Sequence, residues 1–122
     1  MVARGVQTYI REDSQMILQI KDQFDEEKGR WHIELEGEAD VYTVNSFKER
    51  MHKLLDEKMA DVEIDGTSLQ YIDSIGLGAL IGLRGRMADQ EKILIIKNVQ
   101  PNVRKLLKIT GLDKIFIIEQ ED

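Results

Sequence analysis

The stretch of sequence that decides the fold reads YIDSIGLG and spans residues 71–78. It leads from a polar segment into a run of apolar and small residues, and Asp73 and Ser74 are residue types that cap helix N-termini. A helix is therefore predicted from Ser74 to about Asp89. At roughly 100° per residue its apolar side chains cover most of the circumference, which is typical of a buried helix.

The remaining arc of this helix carries three glycines, Gly78, Gly82 and Gly85. Each glycine costs roughly 1 kcal/mol relative to alanine in a helix interior. Two explanations stay open at this point: the close approach of another backbone within the fold, or a smooth face for an external partner. Ser74 lies beside the arc and would adjoin any such docking face.

The period of the apolar residues predicts the elements around this helix. A strand hairpin is followed by alternating helices and strands, which is typical of an α/β fold, and the hairpin makes the sheet mixed. The helix opened by Pro101 is expected to end at Gly111. The predictions are strands at 16–24, 31–36, 62–65, 93–96 and 115–118, helices at 43–58, 74–89 and from 101, and loops at 25–29, 37–40 and 66–73.

The composition restricts the possible functions. The 122 residues suit one domain, predicted at 15–119 after an N-terminal extension at 1–14 without clear periodicity. The absence of cysteine excludes disulfides, zinc–thiolate sites and thiol catalysis. A net charge of −6 without a basic block argues against nucleic acid. No secretion signal or membrane span is evident, so a cytoplasmic protein without a membrane partner is expected.

Other chemical patterns are weak. Gly76, Gly78 and Gly82 come near a dinucleotide-binding fingerprint, but the third glycine is one residue late and the predicted loop before the helix is too long. His32 and His52 are far apart in sequence and are predicted to be surface residues.

Three aspartates lie at or beyond predicted strand ends, where a carboxylate cluster could bind a divalent cation. Turn capping is the favoured interpretation, so neither a metal nor a cofactor is predicted. These residues are Asp40, Asp65 and Asp73.

The position of Ser74 is compatible with two roles. A serine at a helix start is commonly a cap. The free backbone N–H groups and the helix dipole also favour a phosphate there, which would add about −1.5 to −2 charges at pH 7. Next to Asp73 this charge should change docking more than folding.

Three segments, in order, resemble the bacterial anti-sigma factor antagonists, which are small STAS-domain proteins. They are YIDSIGLG at 71–78, GEAD at 37–40, and 98–116 with NVQPNVR and TGLDKIF at its two ends. The resemblance runs from about residue 16 to 118 and implies a STAS fold, with helices packed mainly on one face of a mixed β-sheet.

The resemblance also implies a mechanism. The unmodified protein binds an anti-sigma factor that is itself a serine kinase, and a sigma factor is released. The kinase uses Mg-ATP to phosphorylate Ser74, binding is lost, and a PP2C-type phosphatase resets the switch. On this interpretation the chain is a binding module and not an enzyme. The implied partner-binding residues are Asp40, Asp73, Ser74, Ile75, Gly76, Gly78, Gly82 and Gly85.

The chain departs from the family pattern at two points, and alternatives remain. Ile75 stands where many members have Ser or Thr, which leaves Ser74 as the sole acceptor in the motif. A helix that members usually carry after the last strand is not evident, which leaves the oligomeric state open between a monomer and a weak homodimer. The alternatives are a STAS scaffold or transport-complex subunit that works without phosphorylation, and a small nucleotide hydrolase. The hydrolase is disfavoured because the chain has no convincing phosphate loop or paired nucleophile and base.

Overall fold

The computed structural model describes residues 4–10 and 16–120, which form one β-sheet with α-helices between its later strands. A 3₁₀ turn at Leu112–Lys114 follows the last helix. The elements are β1 Arg4–Ile10, β2 Met16–Asp25, β3 Arg30–Ala39, α1 Val44–Glu57, β4 Asp61–Ile72, α2 Ser74–Asp89, β5 Leu94–Lys97, α3 Pro101–Ile109 and β6 Ile117–Glu119.

The six strands lie side by side in chain order. The pairs β1–β2 and β2–β3 are antiparallel, whereas β3–β4, β4–β5 and β5–β6 are parallel. Each parallel pair is joined through a helix, as parallel neighbours require. The predicted mixed α/β sheet is confirmed.

The core lies on one face of this sheet. Alternate residues of β3 are buried there, and the helices contribute side chains to the same core, which confirms the packing of helices on one face. The opposite face of β3 carries polar side chains, including His32, Glu34 and Glu36. Core residues include Leu18, Ile20, Trp31, Ile33, Leu35, Phe47, Met51, Leu54, Val62, Ile64, Leu77, Leu80, Leu83, Met87, Leu94, Ile96, Val103 and Leu107.

Strand β4 differs from its prediction. The segment 66–73 was expected to be a loop, but β4 continues through it to Ile72. Its 12 residues pair with the 10 of β3, and the register shifts twice, between Glu34 and Glu36 and between Gly37 and Glu38. Extra residues of β4 bulge at these shifts. The bulges interrupt the apolar alternation by which a strand is recognised, and for this reason the sequence pattern indicated a loop. The prediction of a loop was wrong.

The N-terminal segment contributes a strand that the sequence pattern did not predict. Residues 4–10, which lack clear periodicity, form β1 at the edge of the sheet. Tyr9 packs against the core, whereas Val6 is exposed. An edge strand covered on only part of its surface gives a weak pattern. The rest of the predicted extension, residues 1–3 and 11–14, and the end of the acidic tail, 121–122, lie outside the described residues.

The C-terminal region agrees with its prediction in part. Pro101 is the first residue of α3, and Gly111 follows the helix with a left-handed φ of 75°, so both helix boundaries are confirmed. The last strand is shorter and later than expected, because a 3₁₀ turn occupies Leu112–Lys114 before β6 begins at Ile117.

A buried ion pair joins β2 to α1. Asp22 lies on the core face of β2, and its side chain is fully buried. The Arg50 guanidinium donates to both carboxylate oxygens, from Nε to Oδ2 and from Nη2 to Oδ1, each at 2.8 Å. This two-pronged geometry compensates both charges for their removal from water.

Candidate functional site

The start of α2 lies at the carboxyl end of two neighbouring parallel strands. Ala39 of β3 pairs with Ile72 of β4, and the Asp73 N–H donates to the Ala39 carbonyl at 3.2 Å. The Asp73 carboxylate oxygen Oδ1 accepts from the N–H of Ile75 at 3.0 Å and of Gly76 at 2.9 Å. Asp73 is therefore the N-cap of α2, and it satisfies two of the N–H groups that a helix start leaves unpaired.

Ser74 is the first residue of the helix and is exposed. Its hydroxyl makes no hydrogen bond to any residue that the structure describes. Because Asp73 performs the capping, the hydroxyl has no structural task and is accessible to a partner. The helix dipole at this position favours an anion.

The glycines of α2 fall into two groups. Gly76 is buried, and a Cβ at this position would lie 2.5 Å from the Ala39 carbonyl oxygen. Gly78, Gly82 and Gly85 are exposed, and a Cβ at each would meet nothing within 4 Å. Close packing within the described residues therefore explains Gly76 alone, and its burial leaves little of Gly76 exposed to a partner. The other three glycines form a smooth exposed face beside Ser74, called here the glycine face.

Large apolar side chains are exposed at the same end of the sheet. Val41 and Tyr42 follow β3, Tyr71 lies near the end of β4, and Ile75 is in the first turn of α2. Ile81 is exposed further along α2. Exposed apolar side chains therefore lie at the end of the sheet where α2 begins, and such groups are common on protein-binding surfaces.

Asp40 shapes the turn after β3. The residue is buried, and its Oδ1 accepts from the Tyr42 N–H at 2.9 Å. The Thr43 hydroxyl accepts from the Asp40 N–H at 3.0 Å and donates to the Glu38 carbonyl at 2.9 Å. Asp40 thus supports the position of exposed Val41 and Tyr42, and presents little surface of its own.

The three aspartates that were predicted to share one end of the sheet do not all do so. Asp40 and Asp73 follow neighbouring strands, but Asp65 lies well inside β4 because that strand continues to Ile72. The prediction was wrong for Asp65 because β4, like the segment 66–73 that was predicted to be a loop, continues as a strand to Ile72.

Both histidines have partners that the sequence did not reveal. Nδ1 of His32 lies 2.7 Å from Oε2 of Glu63 on the next strand. Nδ1 of His52 in α1 lies 2.8 Å from Nη1 of Arg86 in α2. Burial, and then the Arg86 charge, lowers the pKa of His52. Each partner is more than 30 residues away along the chain, so spacing alone gave no signal.

Within residues 4–10 and 16–120, no helix is long and apolar enough to cross a bilayer.

The chain is similar in sequence to one protein family and to named bacterial proteins. The model of the STAS domain family matches residues 13–121. An anti-sigma-B factor antagonist of Staphylococcus epidermidis is 30% identical over 90 residues, which are 74% of this chain and 83% of that protein. The Staphylococcus aureus protein of the same name is 28% identical over the same shares.

Solved structures show the same fold at lower sequence identity. An anti-sigma factor antagonist from Mycobacterium paratuberculosis superposes with a TM-score of 0.68 at 17% identity, over 98% of this chain and 86% of that one. The phosphorylated form of the Bacillus cell fate determinant SpoIIAA superposes with a TM-score of 0.62 at 18% identity, over 98% and 92%.

Proposed function

The chain belongs to the STAS domain family, and we propose that within it the chain is an anti-sigma factor antagonist switched by phosphorylation at Ser74. In its unmodified form it binds an anti-sigma factor that is also a serine kinase, and a sigma factor is set free. Phosphorylation ends the binding, and a PP2C-type phosphatase restores it. The protein is a regulatory binding module of the cytoplasm and not an enzyme.

The accessible Ser74 hydroxyl is the observation that carries this proposal. A serine that capped α2 would be held by the helix N–H groups, but Asp73 makes those hydrogen bonds at 3.0 and 2.9 Å. A kinase can therefore reach Ser74 without breaking the helix start. The curated relatives are named anti-sigma-B factor antagonists, and these names support an anti-sigma factor as the partner.

The effect of the phosphate follows from its surroundings. It adds about −1.5 to −2 charges next to Asp73. The exposed side chains of Tyr42 and Ile75 lie at the same end of the sheet. A partner that packs on apolar groups would have to desolvate this added charge, which opposes binding. The fold itself should tolerate a phosphate at a helix N-terminus.

The glycine face supplies the second part of the proposed partner surface. Gly78, Gly82 and Gly85 present backbone without side chains, so a partner helix or loop can approach α2 closely. We propose that the partner contacts Ser74, Ile75 and this face, while Asp40 and Asp73 hold the surface in shape.

The test combines modification and binding. After incubation with the cognate kinase and Mg-ATP, mass spectrometry should place one phosphate on Ser74, and Ser74→Ala should prevent it. Calorimetry should show that Ser74→Asp weakens kinase binding by at least about tenfold, the equivalent of about 1.4 kcal/mol, whereas Ser74→Ala still binds. Phosphate on another residue contradicts the assignment. Binding of an anti-sigma factor without any phosphorylation would favour a STAS scaffold instead.

A further inference from the structure

We propose that His32, Glu34 and Asp65 form a binding site for a divalent transition-metal ion, with Zn²⁺ as the best-fitting candidate. The site lies on the polar face of the sheet, opposite the helices. It is independent of the phosphorylation proposed for Ser74 and does not rest on it.

The strands place the three side chains together. His32 and Glu34 are two residues apart on β3 and so point to the same face. Asp65 of β4 is in register with Glu34. One ligand atom from each of the three residues lies within 4.8 Å of the other two.

The distances are close to those that a metal requires. Tetrahedral ligands at about 2.1 Å from Zn²⁺ lie about 3.4 Å from one another. His32 Nε2 and Glu34 Oε1 are already 3.6 Å apart. The Glu34 side chain is exposed and can rotate towards Asp65, so only small side-chain movements are needed to close the site.

A buried carboxylate orients the histidine. The Glu63 side chain is only 6% exposed, and its Oε2 lies 2.7 Å from His32 Nδ1. With Nδ1 engaged by Glu63, the other ring nitrogen, Nε2, faces Glu34 Oε1 at 3.6 Å. Metal-binding histidines are typically oriented by such a carboxylate.

Two carboxylates of the site lie side by side, with cations at their outer flanks. Glu34 and Asp65 face each other across neighbouring strands, where two like charges are destabilising. Lys21 of β2 is in register with Glu34, and Lys97 of β5 is in register with Asp65. Lys97 Nζ and Arg30 Nη2 also lie 3.2 Å and 2.6 Å from Glu63 Oε1. A metal ion between the two carboxylates would replace their repulsion by attraction.

The β4 bulge fixes the third ligand. The Asp65 Oδ1 accepts from the Thr67 N–H at 2.9 Å and from the Thr67 hydroxyl at 2.6 Å. These bonds hold the carboxylate in one orientation. An imidazole with two carboxylates suits Zn²⁺ better than Mg²⁺ or Ca²⁺, which prefer oxygen alone. Three protein ligands leave a coordination position for water or a partner group.

The experiment uses the full chain without an affinity tag, after treatment with a chelator and dialysis. Calorimetric titration with ZnCl₂ should show one ion per chain. Loss of a partner that only orients a ligand already costs about 10–100-fold in metal affinity. Glu34→Gln and Asp65→Asn, which alter direct ligands, should therefore each weaken Zn²⁺ binding by at least about tenfold. Thermal unfolding of both variants checks that they remain folded, and absorption of the Co²⁺ complex should reveal the histidine ligand in the unaltered protein.

Two matched controls make the result decisive. Glu36→Gln changes a carboxylate on the same strand and face, and His52→Gln changes the other histidine; both should bind Zn²⁺ as the unaltered protein does. Glu63→Gln should weaken binding as a positioning residue, without loss of the three ligands. The proposal is overturned if the unaltered chain does not bind Zn²⁺, if Glu34→Gln and Asp65→Asn bind it normally, or if Glu36→Gln or His52→Gln weakens it equally.

Discussion

At the scale of single residues, two neighbours divide the work at the start of α2. Asp73 binds the free N–H groups of the helix, while the Ser74 hydroxyl is exposed. The residue needed for stability is therefore separate from the residue proposed for regulation. Substitutions at the two positions should have different consequences.

We expect Asp73→Ala to destabilise the protein by about 0.5–2 kcal/mol, the usual cost of a lost N-cap. Ser74→Ala should change the free energy of unfolding by less than about 0.5 kcal/mol, because its hydroxyl contributes no hydrogen bond among the described residues. Urea unfolding of both variants measures the difference. If Ser74→Ala lost more stability than Asp73→Ala, Ser74 and not Asp73 would be the N-cap of α2.

The two kinds of glycine in α2 make an opposite pair of predictions. Gly76→Ala would place a Cβ 2.5 Å from the Ala39 carbonyl oxygen, so we expect a loss of about 1–3 kcal/mol. Gly78→Ala meets nothing within 4 Å and should stabilise the protein by up to about 1 kcal/mol. Chemical denaturation separates these outcomes.

If the glycine face is the docking surface, Gly78→Ala should also weaken binding of the kinase while it stabilises the fold. Calorimetric titration of the same variant measures this. Unchanged affinity would remove the glycine face from the proposed contact.

The residue scale is also where sequence reasoning succeeded least. Ser74 and Asp73 were recognisable because capping is local and depends on adjacent residues. The partners of His32 and His52 were not recognisable, because Glu63 and Arg86 come from other elements. Asp22 occupies a core position as a charged residue, and only the approach of Arg50 explains it.

At the scale of elements, polar links hold α1 in place at two positions. The buried Asp22–Arg50 pair joins it to β2. His52 contacts Arg86 of α2, whose Nη2 also donates to Asp56 at 2.5 Å. The orientation of α2, which carries Ser74, thus depends partly on α1.

Loss of one member of the buried pair should be costly. Asp22→Ala would leave the Arg50 charge without its partner, so we expect a loss of about 3–5 kcal/mol. The double variant Asp22→Leu/Arg50→Met removes both charges and should recover much of that loss. Denaturant midpoints of the single and double variants test the pair, and equal losses in both would contradict this account.

The contact between α1 and α2 should depend on pH. The pKa of His52 is lowered in the folded protein by burial and by Arg86, with Lys48 acting in the same direction and Asp56 against it. The neutral form is therefore favoured on folding. The contribution of neutral His52 to stability is present above the ordinary histidine pKa of about 6.5. It is lost as the pH falls through the lower pKa that His52 has in the folded protein.

The measurement compares urea unfolding near pH 7.5 and near pH 5.5. The unaltered protein should lose more stability on acidification than His52→Gln does. Because both proteins contain His32 and the same carboxylates, the effects of those groups cancel in the comparison. Equal losses would show that His52 is not responsible.

At the scale of the whole molecule, β1 closes one edge of the sheet. It covers the Asp22–Arg50 pair closely, since a Cβ at Gly5 would lie 2.6 Å from Arg50 Nη2. Tyr9 adds to the core from the same strand. The predicted boundary at residues 14 and 15 thus remains a prediction, but the strand before it is part of the folded sheet.

We therefore expect deletion of residues 1–10 to lower the unfolding midpoint and to expose the edge of β2, where two copies could pair. Thermal unfolding and size-exclusion chromatography with light scattering would show both effects. Deletion of residues 1–3 alone retains β1 and should change neither. An unaltered midpoint in the longer deletion would make β1 dispensable.

The order of the elements could be predicted because helices and most strands follow the period of their apolar residues. This holds for α1 and β3, whose patterns are regular, whereas α2 is apolar around most of its circumference and was recognised by the capping residues at its start. It fails for β4, in which bulges disturb the pattern, and for β1, which is half-covered at an edge. The polar cluster on the open face depends on register between strands, which the period of one strand does not contain.

The two bulges of β4 have a consequence for insertions and deletions. Before the first bulge the core-facing positions are even-numbered, as at Val62 and Ile64; between the bulges the position is odd, at Leu69; and after the second it is even again, at Ile72. One bulge inverts the parity of the strand, and the other restores it. A one-residue gap in this segment would turn the end of β4, and the α2 start with it, to the wrong side of the sheet. A one-residue insertion or deletion here should therefore be tolerated only together with a second one that restores the parity of β4.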